Sequence, residues 1–234
     1  TYHSAGEKTE RMENIKNVFM KKLYALTIFF AFALANSQTY SFDTVTKYVL
    51  NNAKKKGIKE SVNYFNSDDF NYFLKVTRVP DYLSATLFDS KTDLAHHFTV
   101  KESKSNGNIF FAFEYDYSYK LTTKHLINQK QYITFGEISE SYPKQVSMQI
   151  FSSKKAKKPI AKHVLTLQPA SKNMFPMFAL SRSVNYMLTT DADLPGNYMV
   201  VRDDITEKKV SCEFVLEDHN DVKLKITLPK TLKF

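Results

Sequence analysis

The feature that most constrains this chain is a period-two alternation of apolar and polar residues that recurs along much of its length. Phe42, Tyr48 and Leu50, for example, fall on one side of such a segment together with Thr44 and Thr46. Successive side chains of an extended strand point to opposite faces, so the alternation predicts half-buried strands. Segments of this kind recur about every ten residues between polar turns, a spacing typical of all-β folds. The chain is therefore predicted to be mainly β, an antiparallel meander forming a strongly curved sheet, half-open barrel or sandwich.

One strand candidate is unusual because its alternating residues are all aromatic. In FAFEYDYSY, residues 111–119, every second position is Phe or Tyr. The pattern predicts that the five rings share one face. Buried tyrosine hydroxyls need partners, which predicts a sealed Phe end and a Tyr end near solvent. The row is either closed core or the wall of a site for an apolar ligand, and the candidate ligand-binding residues are Phe113, Tyr115, Tyr117 and Tyr119.

Two further segments carry specific predictions. The spacing of apolar residues in 171–188 is closer to helical than to alternating, which predicts a short helical segment near 175–188. Pro176 suits the first turn of such a helix. Near the end of the chain, the alternating residues Val210–Leu216 and Val222–Leu228 are predicted to pair as a hairpin across the polar residues 217–221.

The beginning of the chain has the layout of a secretory signal peptide. Two lysines follow Met20, the apolar run Leu23–Leu34 comes next, and small residues follow it. The run is shorter than the roughly 20 residues that a membrane-spanning helix needs. A buried core helix is the alternative interpretation. Cleavage after Ala35 or Ser37 fits the pattern, and Ser37 is favoured.

The signal-peptide interpretation divides the chain into three parts. Residues 1–19 form an upstream extension that precedes the natural start, 20–37 form the signal peptide, and 38–234 form a single β-rich domain. The domain is expected to be exported, to the periplasm or the cell exterior, and to be associated with the cell envelope. No transmembrane helix is expected after removal of the signal.

Composition narrows the range of partners. Lys and Arg number 33 against 24 Asp and Glu, which gives a formal net charge of +9 and favours anionic surfaces such as phospholipid head groups. The basic residues cluster in turns and are not interleaved with the aromatic row, which argues against nucleic acid as a partner. The one cysteine, Cys212, cannot form an internal disulfide, so the domain must be stabilised by its core.

The sequence lacks the common motifs of catalysis and cofactor binding. Its 5 glycines are dispersed, which excludes phosphate-binding loops, dinucleotide fingerprints and nucleophile elbows. His96 and His97 are adjacent on a strand candidate and must point to opposite faces, a poor arrangement for chelation. Glu114 and Asp116 are the carboxylate pair considered for glycoside cleavage, since alternation predicts one face for both. The sequence thus predicts no catalytic residue, no metal site and no cofactor.

A short motif resembles a known family. Leu194, Pro195 and Gly196 are followed by a strand candidate, Tyr198–Val201, and the segment is similar to the signature of the GLPGLI family of secreted, β-rich bacterial proteins. Asp193 replaces the first glycine of that signature, and Asn197-Tyr198 replace its final Leu-Ile pair. The resemblance implies export and a β-rich fold, and it implies no known activity.

Three functions remain open from the sequence. The leading hypothesis is an exported non-catalytic β-protein that binds an apolar ligand, such as a lipid or acyl chain, or another component of the cell envelope. The second is a small outer-membrane β-barrel, suggested by the parity of apolar residues up to Phe234 and opposed by Pro229, which interrupts the last strand candidate. The third is an enzyme whose site is assembled from distant residues.

Overall fold

The structure is a computed structural model that describes residues 38–52, 59–79, 82–105, 108–121, 132–182, 194–207 and 210–234. The predicted upstream extension and signal peptide lie outside the described residues. The described residues belong to two compact units. The smaller contains Gln38, Thr39 and Thr227–Thr231, and the larger contains Tyr40–Ile226 and Leu232–Phe234. In the smaller unit the Leu228 N–H donates to the Gln38 carbonyl at 2.9 Å.

The described residues form eleven strands and one helix, which is the mainly β composition that the alternation predicted. In chain order these are β1 (Thr39–Asn52), β2 (Lys59–Asn66), β3 (Asp69–Val79), β4 (Tyr82–Asp89), β5 (Leu94–Ser105), β6 (Asn108–Lys120), β7 (Tyr132–Phe135), β8 (Lys144–Phe151), β9 (Ala161–Pro169), α1 (Phe175–Arg182), β10 (Tyr198–Glu207) and β11 (Val210–Thr227).

All eleven described strands join one antiparallel sheet in the order β6-β5-β4-β3-β2-β1-β11-β10-β9-β8-β7. Two meanders run outward from the central β1–β11 neighbours, so consecutive strands pair along each half. The edge strands β6 and β7 are consecutive in the chain and lie at opposite edges of the sheet. The sheet is not closed, which confirms the half-open arrangement predicted from the sequence.

The half of the sheet from β1 to β6 is strongly curved. Phe113 on β6 and Tyr64 on β2 are four strands apart, which would separate them by ~19 Å in a flat sheet. Their ring centroids lie 6.5 Å apart. The rings of Tyr40 on β1 and His96 on β5 are 6.2 Å apart, and the Tyr40 hydroxyl donates to Asp89 on β4 at 2.7 Å. Side chains from distant strands therefore meet inside the curve.

The curvature buries both faces of β3 and β4. Phe73 and Leu74 are neighbours on β3 that point to opposite faces, yet both are fully buried. Phe73 stacks between Phe65 and Phe88 beneath the helix. Leu74 lies opposite Leu87 on the inner side of the curve. The alternation predicts one buried face for each strand, and it does not reveal this second buried face.

Helix α1 covers the middle of the sheet and packs against β2, β3 and β10. The Asn173 side-chain oxygen accepts from the Phe175 N–H at 2.9 Å, which caps the start of the helix. Pro176 falls in the first turn, as predicted, and Met177, Phe178 and Leu180 are buried. Residues 183–188 of the predicted helical segment lie outside the described residues. The helix is too short to cross a membrane, and no other helix occurs in the described ranges.

The predicted final hairpin is wrong. β11 continues without a turn from Val210 to Thr227, through the polar residues 217–221. Its first part pairs with β10, from Val210 opposite Glu207 to Val215 opposite Arg202. Pairing with the remote strand β1 extends the strand beyond that point. A long-range partner thus overrides the local turn preference of Asn220 and Asp221.

The end of α1 is anchored by buried polar groups. The Asp203 carboxylate on β10 lies 2.8 Å from His163 Nδ1 on β9 and forms an ion pair with Arg182, the last residue of the helix. The side chains of Asp203 and His163 are fully buried. Ser181, the preceding residue, accepts from the Asn63 amide at 3.1 Å, while its carbonyl accepts from the Ser61 hydroxyl. These contacts fix the helix to both halves of the sheet.

We predict that Asp203→Ala lowers the free energy of unfolding by about 3–5 kcal/mol, because it removes a buried carboxylate that His163 and Arg182 share. Asp204→Ala is the matched control. Asp204 is the next residue and pairs with Arg202 in a salt bridge with both side chains at least 40% exposed, so its loss should cost roughly 0–1 kcal/mol. Urea denaturation of both variants measures the difference, and equal losses would contradict the anchoring role of Asp203.

Candidate ligand-binding site

The predicted row of five rings is divided by a β-bulge. In the register of β5 and β6, Tyr115 lies opposite Phe98 and Tyr117 lies opposite His97, so Asp116 is an extra residue on β6. Residues directly opposite each other in an antiparallel pair share a face. Adjacent residues of β5 face opposite ways, which places Tyr115 on one face of the sheet and Tyr117 on the other. The prediction of a single aromatic face is therefore wrong.

Phe113 and Tyr115 lie on the inner side of the curved sheet. Phe113 is half-buried opposite Val100 and contacts Tyr64 edge-on. Tyr115 packs edge-on against Phe98, with ring centroids 5.9 Å apart. The Tyr115 hydroxyl lies 2.7 Å from the Ser118 hydroxyl and accepts from the Lys233 N–H at 3.0 Å. Ser118, beyond the bulge, takes the inner position that the alternation assigned to a tyrosine.

Tyr117 and Tyr119 lie on the outer face. Tyr117 stacks on His97 with ring centroids 5.0 Å apart, and Tyr119 lies beside it at 6.1 Å. Their side chains are 45% and 39% exposed. The predicted solvent exposure of the Tyr end is confirmed for these two residues. The predicted sealing of the Phe end is wrong at Phe111, which is 45% exposed on an edge strand.

A cavity of about 380 Å³ is lined mainly by the neighbouring strands β1 and β11. It is called here the Phe42 cavity, and its lining residues are Ser41, Phe42, Asp43, Asn66, Val222, Lys223, Leu224 and Lys225. The site residues predicted from the sequence, Phe113, Tyr115, Tyr117 and Tyr119, do not line it. Of these four, Phe113 is linked to the cavity through ring contacts, since Phe42 contacts Tyr64 and Tyr64 contacts Phe113, each with ring centroids 6.5 Å apart.

The ends of the neighbouring strands explain why a cavity forms here. The described pairing of β2 with β1 ends at Thr44, and that of β10 with β11 ends at Val215. Beyond these points the Phe42 region of β1 and the Val222–Lys225 region of β11 have each other as sheet neighbours. A two-stranded ribbon has less side-chain cover than the centre of a sheet. No local sequence signal marks this place, because β1 and β11 are far apart in the chain.

The residues considered for catalysis and metal binding have structural partners. Glu114 pairs with Lys101 at 2.7 Å, while Asp116 accepts from Thr99 at 3.0 Å and contacts His97. Because Asp116 is the extra residue of the bulge, Glu114 and Asp116 do not form the regular alternating pair that the sequence predicted. His96 and His97 point to opposite faces, as predicted. His96 lies opposite Ser118 on the inner side, and His97 lies opposite Tyr117 on the outer face. Within the described ranges, no group of three or more His, Cys, Asp and Glu residues could hold a metal ion.

Comparisons with known proteins assign no family. No family model matches the chain, and no curated protein matches its sequence. One solved structure with detectable similarity is described as an outer membrane lipoprotein-sorting protein domain from Vibrio parahaemolyticus. It shares 9% identity, the match covers 77% of this chain and 85% of that chain, and the TM-score is 0.24. A TM-score this low supports no functional inference, and the GLPGLI resemblance stays a prediction.

We predict different effects of removing the two tyrosine hydroxyls on either side of the bulge. Tyr115→Phe should lower the free energy of unfolding by about 1 kcal/mol, because it removes the contacts to Ser118 and Lys233. Tyr117→Phe should have almost no effect, since its hydroxyl makes no hydrogen bond to any residue that the structure describes. Chemical denaturation of both variants is the measurement. A larger loss for Tyr117→Phe would contradict the assigned faces.

We also predict that protonation of His96 destabilises the domain. Burial lowers the pKa of His96 from its ordinary 6.5, so the folded state binds this proton less readily than the unfolded state. The free energy of unfolding should therefore fall as the pH decreases below about 6.5. Denaturation of the wild type and His96→Gln at about pH 7.5 and about pH 5.5 tests this, since the variant should lose less stability. Equal losses would exclude His96 as the source.

Proposed function

We propose that this chain is an exported, non-catalytic β-protein whose domain, residues 38–234, binds an apolar chain such as the acyl chain of a lipid. The observation that carries the proposal is the Phe42 cavity. Three of its lining residues are apolar: Val222 and Leu224 are half-buried, and Phe42 is only 2% exposed. The working location is the bacterial cell envelope, in the periplasm or outside the cell, in accord with the predicted signal peptide at 20–37.

The dimensions of the cavity suit a single flexible chain. Its volume of about 380 Å³ lies near the lower end of the range of roughly 300–1,000 Å³ that is usual for ligand sites. Each methylene group moved from water into an apolar site contributes about 0.8 kcal/mol, which corresponds to a roughly fourfold gain in affinity. Affinity should therefore increase with chain length until the cavity is full and then become constant.

In this proposal the aromatic row supports the site and does not form it. Phe113 supports the cavity indirectly, because its ring packs on Tyr64 and Tyr64 packs on Phe42. Tyr115 closes the inner curve beside Phe98. Tyr117 and Tyr119 face outward and take no part in the proposed site. The residues that would contact the ligand are thus Phe42, Val222 and Leu224.

Binding is tested with purified residues 38–234 and an environment-sensitive fluorescent fatty acid. We expect saturable binding, with affinity that increases from a chain of about 8 carbons to about 12 carbons. Val222→Phe should fill part of the cavity and weaken binding on the order of tenfold, equivalent to about 1.4 kcal/mol. Absence of saturable binding to the folded wild-type domain would overturn the proposal.

A matched control is available on the same strand. Val215 is half-buried like Val222 and does not line the cavity, so Val215→Phe should leave binding unchanged. Circular dichroism and thermal melting establish that both variants are folded. An equal loss of binding in the two variants would show that the ligand occupies another place.

The location is tested separately by fractionating cells that express the full chain. We expect the signal segment to be removed and the protein to be recovered from the cell envelope or the medium. Mass spectrometry of the new N-terminus checks the predicted cleavage after Ser37. Recovery of the uncut chain from the cytoplasm would contradict export and leave the binding proposal to its own test.

A further inference from the structure

Two polar groups that line the Phe42 cavity are already engaged by the protein. The Asp43 carboxylate accepts from the Ser67 N–H at 2.9 Å and from the Ser67 hydroxyl at 2.7 Å. The Asn66 amide donates to the Tyr72 hydroxyl at 2.9 Å, and its oxygen accepts from the Asp68 N–H at 2.9 Å. The one carboxylate and the one amide of the lining are therefore held by neighbouring residues.

The remaining polar side chains of the lining are Ser41, Lys223 and Lys225. The Ser41 carbonyl accepts from the Tyr72 hydroxyl at 3.0 Å. The side-chain hydroxyl of Ser41 forms no hydrogen bond to the residues that the structure describes. In the part of the chain that the structure describes, neither ammonium group forms a hydrogen bond or a salt bridge. Ammonium groups are donors only, and a hydroxyl can donate. The side-chain groups of the lining without a described protein partner are thus two positively charged donors and one hydroxyl.

Some other described lysines have carboxylate partners. Lys47 contacts both Glu60 and Glu217 at 3.0 Å, and Lys101 contacts Glu114 at 2.7 Å. Those charges are neutralised by a carboxylate of the protein. Lys223 and Lys225 are exposed on β11 at the rim of an apolar cavity without such a partner. An unneutralised positive pair next to an apolar surface is complementary to a ligand with an apolar chain and an anionic end.

We propose that the ligand of the Phe42 cavity is an anionic amphiphile, whose carboxylate, phosphate or sulfate contacts Lys223 and Lys225 while its chain lies against Phe42 and Leu224. This inference rests on the proposed function, and it adds the chemical class of the ligand. The Asp43 carboxylate keeps its negative charge while both of its oxygens accept from Ser67, so the anionic end is expected next to Lys223 and Lys225 and away from Asp43. Each exposed lysine is expected to increase affinity roughly fivefold at low ionic strength.

A pair of probes with the same chain separates the contribution of the head group from that of the chain. We would titrate the purified domain with a pyrene-labelled fatty acid and with its methyl ester, which has no charge. The wild type should bind the acid roughly 25-fold more tightly than the ester, the product of the two lysine contributions. Higher salt should weaken binding of the acid and leave the ester unaffected, because screening acts on the charges alone.

Removing the charges provides the decisive comparison. Lys223→Gln/Lys225→Gln should bring the affinity for the acid down to that for the ester, without changing the affinity for the ester. The matched control is Lys157→Gln/Lys158→Gln, which removes two exposed charges from residues that do not line the cavity. The control variant should keep the full preference for the acid.

Each outcome has a distinct meaning. Equal binding of acid and ester by the wild type would overturn the proposal that the ligand is anionic. The proposal that the cavity binds an apolar chain would remain. A lost preference in Lys157→Gln/Lys158→Gln would also overturn it, because net charge and not the cavity rim would explain the preference. Saturable binding of neither probe would overturn both proposals. Displacement of the pyrene-labelled acid by monomeric short-chain phosphatidylglycerol indicates a lipid phosphate, whereas displacement by free fatty acid alone indicates a carboxylate. Phosphatidylcholine with the same chains has no net charge and should compete more weakly than phosphatidylglycerol.

Discussion

The curvature of the β1–β6 half of the sheet is the constraint on which the rest of the structure depends. An open sheet of eleven described strands has two faces to cover, and α1, with eight residues, covers part of one. Curving the sheet lets side chains from distant strands cover the inner face, as the contact of Phe113 with Tyr64 shows. Full burial of Phe73 and Leu74 on adjacent, opposite-facing positions follows from the combination of helix and curve.

The bulge on β6 belongs to the same constraint. A bulge increases the local twist and bends its strand, and here it lies on the outermost strand of the curve. The extra residue, Asp116, is held by Thr99 and His97 and does not enter the core. The inner position after the bulge goes to Ser118, whose hydroxyl contacts Tyr115 and His96. A tyrosine at that position would need far more volume than the serine occupies.

Sequence alone predicts what depends on neighbours in the chain. The alternation identifies the strands, and Pro176 correctly locates the first turn of α1. The pairing of β1 with β11, the unbroken course of β11 and the bulge at Asp116 depend on contacts between remote residues. For the same reason the sequence does not reveal the Phe42 cavity, whose lining includes no residue of the aromatic row. The alternation places Phe42 on one side of a half-buried strand, and nothing in its local sequence connects it with Val222 and Leu224.

The position of the cavity also accounts for its chemistry. Val222 and Leu224 alternate with Lys223 and Lys225 along β11, and all four residues line the cavity, so apolar and positively charged residues meet there. An alternative role for Lys223 and Lys225 is protection of the strand edge, because lysines on a poorly covered strand discourage pairing with another chain. That role requires no cavity. The two roles differ in what they predict, because protection of an edge does not distinguish an acid from its ester. Selectivity between two probes with the same chain is therefore the property that separates a binding site from an edge kept soluble.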